Sequence, residues 1–187
     1  MSHPLEQLKP AQQKRLFIPL LILTIFIMVT MNIIGLPLNT PVAPSGIVSF
    51  ELAFSPTHAQ QIILSWNAQS QLRAAFLQGL DFLFPLVYSV ALGLGCILTS
   101  GVLAGRGKPF SMIGAALAWG LWIAALCDYI ENIALVVLLF GRVVSPYPEI
   151  AGFCALIKFT LILAGIVYIL YGLLMRVLPL KSTQTAT

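Results

Sequence analysis

Three polar side chains stand at i, i+3 and i+4 in the stretch Asp128-Tyr129-Ile130-Glu131-Asn132, set between the apolar runs GLWIAALC and IALVVLLFG. On a helix that spacing stacks Asp128, Glu131 and Asn132 into a single ridge. Two carboxyls and an amide so placed can hold a cation, pass a proton or hydrogen-bond a polar ligand, and a carboxyl kept neutral by burial can donate a proton. Facing lipid, an ionised carboxylate costs about 2.5–3.5 kcal/mol at a helix centre. The ridge must therefore face protein or water. Lys158 is the cation placed to meet it, through a pair with Glu131 or Asp128. With two acids and one lysine, charge is left over: one acid is protonated, Arg73 reaches in, or water enters. Asp81 adds a further acid, and Tyr88 follows it by about two helical turns.

The elements that carry these residues are hydrophobic. Of 187 residues, 59% are hydrophobic and 9% charged, against about 25% charged in soluble domains. Crossing a hydrocarbon core takes roughly 20 helical residues, and four stretches suffice: 16–36, 80–100, 110–140 and 150–175. The reading is one membrane domain over 1–187, all-α, a four-helix transmembrane bundle. The first stretch exceeds the apolar core of a secretory signal and no A-x-A site follows, so a retained anchor is expected. Counted along each span at 1.5 Å per residue, Asp128, Lys158, Glu131 and Asp81 fall roughly 4, 7, 9 and 13 Å to the outer side of centre, in one slab.

Basic residues orient the bundle. Lys9, Lys14 and Arg15 precede the first span, Arg106 and Lys108 lie between the second and third, and Arg176 and Lys181 follow the fourth, with only Arg73 and Arg142 on the opposite side. The positive-inside rule then sets both termini in the cytoplasm. Topology absorbs most of the net charge of +4, so no nucleic-acid partner is expected. The polar segment 1–13 and the tail after Pro179 read as mobile termini.

Between the first and second spans, Gly35, Pro37, Pro41, Pro44 and Gly46 forbid a continuous helix. Residues 47–70 then form an external amphipathic segment. Ser55 suits an N-cap, Pro56 the first helical position, and Ala59, Ile62, Ile63 and Trp66 recur at helical spacing. This short helix lies in the outer interface with Trp66 at headgroup depth, or lids the bundle, or both. From about Ser70 the second span continues an apolar stripe of Leu72, Ala75, Phe76, Gly79 and Leu80. Pro85 kinks it, lacking an N–H and clashing with the Asp81 carbonyl, which then needs another partner.

Other chemistries lack support. No G-x-S-x-G, H-E-x-x-H or phosphate-loop pattern occurs. His3 and His58 are isolated, so no metal site and no cofactor are expected. Cys96, Cys127 and Cys154 fall one to a span, as buried thiols rather than a disulfide framework. Glu51 is placed to pair with Arg73, an exposed-loop bridge of little energetic value unless the lid buries it.

Taken in order, Phe50-Glu51-Leu52-Ala53, Ala59 and Ile62, Ser65-Trp66, Leu80-Asp81-Phe82-Leu83-Phe84 with Tyr88, and Asp128-x-x-Glu131-Asn132 resemble a group of small bacterial integral membrane proteins. That group carries F-E-L-A, S-W, D-[FY]-L-[FY] and D-x-x-E-N in this order. The resemblance covers roughly residues 15 to 175 and implies four spans and a bacterial plasma membrane, with no reaction attached. The expected function is binding of a small or lipid-like ligand in an outward-facing polar pocket between the second, third and fourth spans. Asp81, Tyr88, Asp128, Glu131, Asn132 and Lys158 would line it, with Glu51, Trp66 and Arg73 at its mouth. The same groups also fit a polar knot that only fixes helix packing in a non-catalytic assembly or scaffold protein. An isomerase-like acid–base enzyme and a small proton-linked carrier, functioning as a homo-oligomer, remain further alternatives.

Overall fold

A computed structural model describes residues 2–178. The Thr-rich tail and Lys181 lie outside the described residues. Seven α-helices follow in order among them: α1 (Pro10–Gly35), α2 (Ile47–Glu51), α3 (Pro56–Ser65), α4 (Ala68–Asp81), α5 (Phe84–Gly105), α6 (Gly114–Leu139) and α7 (Tyr147–Val177). The fold is all-α. Four helices, α1, α5, α6 and α7 with their flanking turns, are long and apolar enough to cross a membrane. By length and composition this is a multi-pass membrane protein.

The middle of the packing is α6, which runs against both α5 and α7, and α1 leans on α5. Close approach is possible because small residues line the crossings. At Gly114 an added Cβ would stand 2.6 Å from the Cys96 carbonyl oxygen, so α6 meets the backbone of α5 directly. Most of α1 is bare: Ile18, Ile22 and Phe26 are exposed, and Gln13, Thr24 and Ile27 are its only buried residues. An apolar helix with so little protein cover is a helix built to face lipid.

At one end, α2, α3 and α4 fold over the tips of α6 and α7 as a cap. Phe50, Ile62, Trp66 and Leu77 form its core with Leu135 and Leu138. Ser55 Oγ accepts a hydrogen bond from the His58 N–H at 3.2 Å and Pro56 follows it, giving α3 a defined start. Likewise Asn67 Oδ1 accepts from the Ser70 N–H at 2.8 Å at the start of α4. Gly46 has φ +55°, and a Cβ there would meet Asn39 Oδ1 at 2.6 Å. The chain can therefore turn into α2 only through glycine.

Two expectations are corrected, the single kinked second span and the mobile N-terminal segment. Instead of one kinked helix, α4 and α5 are separate, divided at Phe82 and Leu83, since Pro85 cannot supply the N–H that would bridge them. The stripe of Leu72, Ala75, Phe76 and Gly79 points outward, while Ser70, Ala74, Leu77, Gln78 and Asp81 are buried. The inner face is the more polar one because Ser70 and Gln78 find their partners there, the Pro37 carbonyl and Asn132 Oδ1. Trp66 is 3% exposed, its indole N–H donating to the Leu38 carbonyl at 2.8 Å and its ring edge-on to Phe50. It anchors the cap. The N-terminal segment is folded too: His3 is buried against Trp119 and Trp122, and Gln13 Nε2 donates to the carbonyls of Leu5 and Leu8.

Candidate functional site

Helix α6 presents Asp128, Glu131 and Asn132 on one buried face, at 2%, 0% and 0% exposure. Lys158 arrives from α7, and its Nζ donates to Glu131 Oε1 at 2.8 Å and to Asp128 Oδ1 at 3.0 Å. Both acids share the one ammonium. A third comes from the cap: Glu51, the last residue of α2, sets Oε2 3.7 Å from the same Nζ, with its carboxyl against that of Glu131. The expected bridge between Glu51 and Arg73 is replaced by this contact. Glu51 is buried because Phe50 and Ala53 beside it are packed into the cap core. Arg73 stays outside the cluster.

Asn132 does a different task. Its Nδ2 donates to the Asp81 carbonyl at 3.2 Å, and its Oδ1 accepts from Gln78 Nε2 at 2.8 Å. The Asp81 carbonyl is the one that Pro85 leaves without a helical donor, so an α6 side chain closes the break between α4 and α5. The Asp81 carboxyl is then held at the head of α5, beside Tyr88. The Tyr88 hydroxyl is buried next to Asp128 without a hydrogen bond, and Oε2 of both Glu51 and Glu131 is likewise buried and unpartnered.

Two of the acids lie outside the spans. Burial pushes the Glu51 carboxyl above the usual range, Lys158 opposing and Asp128 reinforcing the shift. Asp81 is raised to about 7, by burial first and then by the neighbouring Asp128. Four carboxyls thus crowd one ammonium among the described residues, and the site as built is short of positive charge and of donors.

A groove of about 1560 Å³ reaches this cluster. It runs between α1 and α7 along α5, from Asn39 and Ser45 near the cap to Lys14, Arg106 and Arg176 at the other end. Its long walls are apolar, with Leu21, Leu98 and Ile166 among them. Glu51, Asp81, Tyr88, Asp128 and Lys158 all line it; Glu131, Asn132, Trp66 and Arg73 do not. The groove is flanked by α1 and α7, with α5 along it and Asp128 of α6 at its polar end.

Sequence reasoning missed Gln78 and the placement of Glu51. Gln78 had a signal, standing three residues before Asp81 and so on the same helical face. Glu51 had none, because the Pro- and Gly-rich turn that delivers it has no periodicity to read. No protein-family model, no curated protein and no solved structure matches the chain.

Proposed function

We propose that this chain is a four-helix integral membrane protein of a bacterial plasma membrane, with both termini cytoplasmic, that binds a lipid-like amphiphile in the groove between α1 and α7. The carrying observation is the continuity of one groove. An apolar channel as long as the spans ends on a buried, incompletely satisfied ionic cluster. Such a shape suits a ligand with a chain and a polar head, since ligand sites are mostly apolar with a few placed polar groups. The orientation rests on Lys14, Arg15, Arg106, Lys108 and Arg176 at the end away from the cap, and the bacterial setting on the resemblance described above.

Native mass spectrometry of protein released from lipid nanodiscs tests the reading. The unaltered chain should retain an amphiphile. Ile166→Trp should lose it, because Ile166 lines the groove from α7 at 38% exposure and the larger indole would fill that space. Identical ligand content in the two proteins would refute the proposal.

A second reading is favoured by Glu131 and Asn132. Both are fully buried and turned away from the groove, so this part of the cluster serves helix registry, a well-attested use of buried polar groups. The two readings divide the cluster: Glu131, Asn132 and Gln78 hold helices, while Glu51, Asp81, Tyr88 and Asp128 meet the ligand.

A further inference from the structure

The charge balance at the groove's polar end narrows the ligand class, an inference that rests on the amphiphile reading above. Lys158 is neutralised by its two short contacts, to Glu131 at 2.8 Å and Asp128 at 3.0 Å. Glu51 at 3.7 Å is only loosely engaged, and Asp81 has no ion pair among the described residues. Both acids line the groove, at 5% exposure each, and so does Tyr88, whose hydroxyl lacks a partner. What this end lacks is a cation carrying several N–H donors. An ammonium group supplies one charge and three donors. A phosphate or carboxylate head brings acceptors and no cation, so it would leave the buried Glu51 Oε2 without a partner. At the far end, Lys14, Arg106 and Arg176 exclude an ammonium, so polarity along the groove fixes the direction of entry.

We infer that the ligand is a primary amine with an apolar tail, its ammonium seated between Asp81, Glu51 and the Tyr88 hydroxyl, and its tail lying along α5 between α1 and α7. Lys158 is then the permanent cation of the site and the ligand its second one. Glu51 comes from the cap and Asp81 from the end of α4, so seating the head also ties the cap to the spanning helices.

Protein in phosphatidylcholine nanodiscs near neutral pH is titrated with dodecylamine, dodecanol or dodecanoate, and retained ligand is counted by native mass spectrometry. The amine should be retained at least about tenfold more tightly than the alcohol, the scale of one charge-assisted hydrogen bond, and dodecanoate should not be retained. Asp81→Asn and Glu51→Gln, tested separately, should each bring the amine down to the level of the alcohol. A cooperative unfolding transition in far-ultraviolet circular dichroism, matching that of the unaltered protein, shows that the variants are folded. Equal retention of amine and alcohol by the unaltered protein overturns the ammonium assignment while leaving the amphiphile reading standing. Retention of none of the three overturns both. In mixed nanodiscs, capture of phosphatidylethanolamine in preference to dodecylamine identifies the amine as a bilayer lipid, and the reverse preference identifies it as a free single-chain amine; capture of neither overturns the ammonium assignment.

Discussion

Asn132 gives the sharpest test of how the cap is joined to the spanning helices. Replacing it with leucine keeps the number and branching of the side-chain heavy atoms and removes both hydrogen bonds, leaving the Asp81 carbonyl and the Gln78 amide buried without partners. Each orphaned group costs roughly 1–3 kcal/mol. With the added apolar contact of leucine offsetting part of this, Asn132→Leu should destabilise the fold by about 3 kcal/mol. The carbonyl's share of that loss depends on Pro85. Phe82 and Leu83 both have right-handed helical backbone angles, so an N–H restored at position 85 would point back at Asp81. In a Pro85→Ala background, Asn132→Leu should therefore cost about 1–2 kcal/mol less, the worth of one orphaned carbonyl. Reversible unfolding in mixed micelles, followed by far-ultraviolet circular dichroism, measures all four corners of this cycle. Additivity within about 0.5 kcal/mol, the behaviour of independent sites, would refute the claim that asparagine replaces the donor that proline removes.

Other predictions follow from the same geometry. Lys158→Met should cost about 3–5 kcal/mol, the penalty of leaving one side of a buried pair uncompensated. Adding Asp128→Asn and Glu131→Gln should recover much of that in the same unfolding assay. Because Asp81 is raised to about 7 from a usual 3.8, the folded protein prefers its protonated form. Stability should fall as pH rises between those values and flatten above them, by a few kcal/mol at most, and Asp81→Asn should remove that slope. For His3, burial lowers the imidazole's pKa below its ordinary 6.5, with Glu6 opposing. Neutral His3 is thus the docked form, and acidification below that value should release the N-terminal segment. A shift in the fluorescence of Trp119 and Trp122, absent in His3→Ala, would report it.

Much of this architecture is legible from composition and spacing. Apolar length alone identifies the four spanning helices, and the i, i+3, i+4 ridge of Asp128, Glu131 and Asn132 has to face inward once lipid is the solvent. The meeting of that ridge with Lys158 follows from their common depth. Pro85 even announces an orphaned carbonyl at Asp81, although nothing in the sequence says that Asn132 would meet it. Direction is harder to read in α4. The Leu72 to Gly79 stripe is exposed, while the hydrogen bonds of Asn132 to Gln78 and to the Asp81 carbonyl turn the other face of α4 inward. Glu51 and His3 lie in segments without regular periodicity, and their burial comes from tertiary contacts, with Lys158 in one case and a pair of indoles in the other.

The central claim is that α1 stands off from α7 and leaves a groove whose polar end is formed by Glu51, Asp81 and Lys158. An experimental density map of the protein in lipid nanodiscs tests it most directly. The expected map has elongated density between α1 and α7, ending within hydrogen-bonding distance of Asp81 or Glu51. A map in which α1 packs directly on α7 and closes that space, with Lys158 still bound by its carboxylates, would contradict it.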